Sequence, residues 1–163
     1  MKVFYLSLCF LSLALLQSCS SSKLLRSYSE TLQTEEGVNV NISLKVNSVK
    51  MPSSAIITTV PHSFSYSVTN LDNTKTFYSY IKEPKMKRGF LYIYFSLSDG
   101  TKTEYKTPLQ NIVSHSLSLE VSPQMTSPEI PIVVMIPKDR KITSIAGFAI
   151  KYDDTTTKEQ LGF

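Results

Sequence analysis

Tryptophan is missing from the chain altogether, and glycine occurs only five times in 163 residues. So little glycine argues against the phosphate-cradling loops of nucleotide-binding folds, and neither a G-x-S-x-G elbow nor an H-E-x-x-H helix is present. Histidine is rarer still, with two copies. His62 follows Pro61 in an expected turn, and His115 shares the inward parity of an expected strand, so neither stands out as a catalytic base. The paired acids Glu35-Glu36 and Asp153-Asp154 lack an accompanying D-x-D-x-D loop and read as solvated rather than cation-binding. No grouping of residues supports an enzyme, and no metal or cofactor is expected.

Cysteine is also scarce, with two copies, Cys9 and Cys19, both near the amino terminus. Met1-Lys2 supplies a positive charge, and residues 3–16 are apolar apart from Ser7 and Ser12. Those are signal-peptide proportions, shorter than the roughly 20 apolar residues that cross a bilayer. The run ends in Leu16-Gln17-Ser18-Cys19, which resembles the lipobox of bacterial lipoproteins. The resemblance implies that residues 1–18 are removed, that the Cys19 thiol receives diacylglycerol and that its new amino group is acylated. Several chains on one residue anchor stably where one does not. The resemblance further implies an address at the outer membrane, on its periplasmic face, because neither an aspartate nor an acidic cluster follows the cysteine.

The portion from Cys19 onward has no second cysteine, so its stability must come from packing. The composition suits that, at 42% hydrophobic with nine tyrosines and eight phenylalanines. The basic excess is mild, which does not argue for nucleic acid as a partner. Residues 19–37 read as a tether. Leu24, Leu25, Tyr28 and Leu32 fall at helical spacing, but Lys23 and Arg26 near the start and Glu35 and Glu36 near the end oppose the helix dipole.

From Val38 the period changes to two. Val38, Val40, Ile42, Leu44 and Val46 alternate with polar residues, as in a strand with one buried face. Further strands are expected at residues 56–60 (closed by Pro61), 64–68, 77–81, 90–97, 102–106, 113–121, 132–136 and 142–152. Asp99-Gly100 fits a type I′ hairpin turn. The stretch 90–97, "FLYIYFSL", is apolar on both faces and reads as a central strand. The expected fold is an antiparallel β-sandwich, immunoglobulin-like or transthyretin-like, of about seven to nine strands over residues 38–153. A loose tail is expected over 154–163.

Two features carry recognition potential. Tyr66, Tyr78, Tyr80, Tyr92, Tyr94 and Tyr105 lie on expected strands and would form an aromatic binding face for a sugar or peptide if exposed. Parity groups Tyr92 and Tyr94 with Phe90, which fits core packing equally well. Lys85, Lys87 and Arg88 form one basic loop, and Lys138, Arg140 and Lys141 another. Counted through nine alternating strands, both loops fall at the end carrying the lipid tether, facing anionic head groups. If residues 56–60 are not a separate strand, that parity flips. The layout is similar to that of small lipoproteins tethering trans-envelope machines, such as the transthyretin-like outer-membrane lipoprotein of type VI secretion. That likeness implies a scaffolding role with another envelope protein as partner.

Overall fold

The computed structural model describes residues 27–47, 58–82, 86–111 and 118–154. Among the described residues ten strands form an antiparallel β-sandwich. One sheet has the order β1-β2-β3-β9: β1 (Ser27–Gln33), β2 (Asn39–Val46), β3 (Thr59–Asn70) and β9 (Ile130–Pro137). The other is centred on β6 (Lys87–Leu97), which pairs along one side with β10 (Ile142–Asp154). Its other side holds β5 (Tyr80–Ile81) and then β7 (Lys102–Pro108) in series. A short ribbon joins β4 (Phe77–Tyr78) to β8 (Glu120–Val121).

Alternation builds the core. Val40, Ile42 and Leu44 of β2, Phe64, Tyr66 and Val68 of β3, and Leu91, Ile93 and Phe95 of β6 all point inward and are buried. The two layers meet directly where the Phe64 and Phe95 rings pack at 5.3 Å. Burial of this apolar area, on the order of 25 cal/mol per Å², is the main force holding the layers together.

Residues 27–37 are not a tether. Ser27–Gln33 pairs with β2 over its whole length, from Ser27 opposite Lys45 to Gln33 opposite Asn39. Tyr28 and Leu32 are four apart, a spacing that suits one helical face and one strand face alike. The neighbouring β2 decides for the strand. The inward Glu30 of β1 closes the open side of the sandwich, because Oε2 accepts the Phe148 amide of β10 at 3.0 Å. Gly147 beside it lies at φ +145, where a side chain is strained, and a Cβ there would meet the same oxygen at 3.4 Å. Glu30→Ala leaves that amide without its acceptor and is expected to cost about 1–3 kcal/mol, with Glu30→Gln retaining most of the stability in urea denaturation.

Three other expectations change. Residues 59–70 form one continuous strand through Pro61, since β2 has ended where the missing Pro61 amide would have pointed. The 77–81 strand divides at Ser79, whose amide donates to Leu119 O while its own carbonyl accepts from Gly89. The 97–101 turn is a three-residue loop rather than type I′. Gly100 alone has positive φ, and Asp99 Oδ1 accepts from the Thr101 amide at 3.0 Å and its hydroxyl at 2.6 Å. Residues 1–26, 48–57, 83–85, 112–117 and 155–163 lie outside the described residues, and with them Cys19, Lys85, His115 and the expected C-terminal tail beyond Asp154.

Candidate functional site

The tyrosines do not form one face. Tyr66 is fully buried in the core, and its hydroxyl donates to Pro108 O at 3.3 Å. Burial raises its pKa far above the phenol range. Tyr78 and Tyr80 are half-buried and pack edge-on at 5.5 Å, with the Tyr80 hydroxyl donating to Glu120 at 2.9 Å. Tyr105 is half-buried and packs against the core.

Tyr92 and Tyr94 do share the Phe90 side of β6, and that side is the outer one. Leu91, Ile93, Phe95 and Leu97 fill the inner side. The outer rings are occupied by the chain's own cations. Lys106 Nζ lies 4.1 Å from the Phe90 centroid and 5.4 Å from that of Tyr92, and Lys151 Nζ lies 4.6 Å from Tyr92. Lys106 also pairs with Asp153. Tyr92 is left only 8% exposed. A stacking ligand would have to displace these contacts, each worth roughly 0.5–1 kcal/mol at an exposed site.

The two basic groups are at opposite ends. Arg88 and Lys87 begin β6, paired with Tyr80 and Ile81, at the end where β2 also begins. Arg88 is half-buried, donates to Gln110 Oε1 at 2.9 Å and lies over Phe90, and burial lowers its pKa. Lys138, Arg140 and Lys141 occupy the turn from β9 into β10, at the end where β6 finishes. There Arg140 Nε meets Asp99 Oδ2 at 3.0 Å. What separates them is that, among the described residues, three long strands (β6, β7 and β9) lie between the two groups where four were expected, since the expected strand 113–121 contributes only the two-residue β8. The His62 side chain lies opposite Val134 on the inner side of β3, half-buried, and its pKa is lowered by that burial. Among the described residues no group of three or more His, Cys, Asp or Glu side chains could hold a metal ion.

The surface that sequence reading missed is β9. Its inner side chains Ile130, Ile132, Val134 and Ile136 are buried, yet Val133 and Met135 on the outer side are 51% and 54% exposed. The Lys138 amide donates to Thr58 O, so even-numbered amides of β9 point to β3 and odd-numbered ones to the opposite edge. Among the described residues no strand pairs with that edge. Pro131 and Pro137 carry no amide to offer there, which leaves Val133 and Met135 as its donors. The signal was present in "IPIVVMIP": prolines six apart in an apolar run mark an edge strand, with their missing amides turned to the open side.

Beside β9, the outer face of the sheet is polar and nearly uncharged. Cross-strand rows run Ser29-Ser43-Ser67 and Thr31-Asn41-Thr69. Lys45 is the one cation in these rows of β1, β2 and β3, and it pairs with Glu129, which also accepts from Ser65. Comparison of the chain with protein-family models, with curated proteins and with solved structures finds no match, so what this surface does has to be read from its own residues.

Proposed function

We propose that this chain is a lipid-anchored envelope protein acting through protein contact, with the outer edge of β9 receiving an extended strand from another envelope protein. The observation carrying it is the pair Val133 and Met135, more than half exposed beside an edge that keeps its amides. Native sheet edges are normally blunted by charge, twist or cover. Here two prolines limit the edge to a short window instead of closing it, and the added strand would gain main-chain hydrogen bonds plus two apolar side-chain contacts. The lipobox-like Leu16-Gln17-Ser18-Cys19 supports the anchored part of the reading.

A photo-crosslinking residue at position 133, tested in native membranes, should give one discrete adduct that the same residue at Thr143 does not. Met135→Pro should abolish the adduct while the melting temperature changes little, because the amide it removes makes no ladder bond to β3. An adduct that survives Met135→Pro overturns strand addition. The sugar-binding alternative has lost Tyr66 to the core and has Tyr92 covered, so no observation favours it.

A further inference from the structure

The window left open on β9 is symmetric about its own centre. Residues 131–137 read Pro-Ile-Val-Val-Met-Ile-Pro, the same order of residue classes from either end, with Val134 in the middle. In an antiparallel ladder each hydrogen-bonded pair exchanges both main-chain bonds, so edge-facing residues must meet edge-facing residues. On β9 those are Pro131, Val133, Met135 and Pro137. A second β9 laid antiparallel along the first, with Val133 opposite its Met135, meets that condition. Both donors of each copy then reach a carbonyl of the other. Pro131 faces Pro137, so positions without a donor oppose one another. A slip of two residues either way sets Val133 or Met135 against a proline and halves that pair's bonds.

The side chains agree with the main chain. Val133 and Met135 are more than half exposed on the outer face, and this pairing sets each against the other in the second copy, covering apolar surface on both. No charged residue lies in β9, so nothing repels like from like across the axis. Among the described residues the other edges do not share these properties. β7 exposes Lys102, Glu104 and Lys106. β10 shifts register against β6 at Ile142/Ser144 and at Ile145/Gly147, and β1 carries Glu30 across to β10. Charge and irregularity of that kind disfavour edge pairing.

We infer that a second copy of this chain covers the β9 edge until the partner strand arrives, the two strands pairing antiparallel about a two-fold axis at Val134. The inference rests on the strand-addition reading and specifies how that site is held beforehand. The contact is isologous, the same window serving both copies, so it closes at two and does not propagate. It joins the two four-stranded sheets into one and uses both β9 edges. The self-pair and the partner complex therefore exclude each other. A patch of one strand per copy is small beside the roughly 1,600 Å² of a standard stable complex. Such a pair is weak enough for an incoming strand to displace. Chains anchored to one surface gain the local concentration that sustains it.

The test uses the full chain purified without partners, with the photo-crosslinking residue at position 133 and light chains mixed with isotopically heavy ones. Irradiation should yield a product of twice the chain mass, its mixed-isotope links mapping to residues 131–137 of the other copy. The same residue at position 143 should yield none. Met135→Pro removes one donor from each copy and should raise the dimer dissociation constant by about 30-fold in sedimentation. Val133→Glu keeps every amide but sets two carboxylates roughly 7–8 Å apart across the axis, and should likewise give monomers. A chain that is monomeric at every concentration, or links that fall outside 131–137, overturn self-pairing; strand addition then still rests on the adduct in native membranes. Dimers that persist unchanged in both variants overturn it too. If purified chains pair but position 133 in native membranes links only to a second copy, the partner reading fails and displacement with it, while self-pairing stands.

Discussion

Gly89→Val is expected to destabilise the fold by about 3 kcal/mol, near the upper end of what overpacking costs. Gly89 is buried at the start of β6, where β5 and β7 meet end to end along the same side of that strand. Its amide donates to Ser79 O at 2.7 Å, and its carbonyl accepts from Leu109 at 3.1 Å. A Cβ there would stand 2.9 Å from the Ser79 carbonyl oxygen and 3.2 Å from a ring carbon of Tyr152. Neither neighbour can yield cheaply. Ser79 is held by Leu119 through both backbone and side chain, and the buried Tyr152 ring is held by its hydroxyl, which donates to Tyr78 O at 3.0 Å. The substitution should therefore loosen β4, β5 and β8 together. Gly100→Ala is the useful comparison. That glycine has φ +81 but open space around it, so only the left-handed conformation is charged, at roughly 1–2 kcal/mol. Urea denaturation of both variants checks the ranking; equal losses would mean that close approach is not what fixes Gly89.

Asn70→Asp should be at least as damaging, at about 3–5 kcal/mol, a large share of the 5–15 kcal/mol typical of a domain. Asn70 is fully buried at the end of β3 and works as a junction. Its Nδ2 donates to Lys75 O at 2.8 Å and to Val121 O at 2.9 Å, while Oδ1 accepts from Asp72 N at 3.0 Å. Three separate segments are tied through one amide. A carboxylate of the same shape would aim an oxygen at two carbonyls and bury a charge beside them. Burial would raise the new carboxyl's pKa in the folded state above the ordinary value of about 3.9. The variant should then be least harmed below that value, where the carboxyl is protonated and donates, and lose stability as pH rises through the raised pKa. Thermal melts of Asn70→Asp and Asn70→Ala across pH 4 to 8 separate the contributions. A pH-independent deficit equal to that of Asn70→Ala would show that the two carbonyls do not matter.

Both residues show where reading the chain alone stops. Gly89 reads as an ordinary glycine before an apolar run, and Asn70 as the start of a turn. What makes them costly to change is Ser79 and Val121, ten and fifty-one positions away, brought to them by strand pairing. By contrast, β2, β6, β7, β9 and β10 were legible from local pattern, because alternation in the sequence is the physical alternation of side chains across a sheet. Where both parities were apolar, the pattern could not name the inner face. In "FLYIYFSL" the inner set is Leu91, Ile93, Phe95 and Leu97, and in "IPIVVMIP" it is Ile130, Ile132, Val134 and Ile136. Of the outer sets, Phe90 and Tyr92 became a cation-covered pair and Val133-Met135 an open edge.

The division follows from the range of the forces involved. By itself the amino-acid order determined that the chain folds as antiparallel strands, roughly where they lie, and that an amino-terminal segment resembling a lipoprotein leader precedes them. Those properties depend on neighbours one to four residues apart. Which strand takes an edge, which face of a doubly apolar strand turns inward, and which loops share an end depend on pairings across the whole chain. One strand more or fewer reverses every end that follows it. Recruiting residues 27–33 into the sheet moved the point where the chain leaves the domain from Val38 to Ser27, and having three long strands (β6, β7 and β9) instead of four between the two basic groups sent them to opposite ends. Only the tertiary structure, by closing two sheets around one core, decided those.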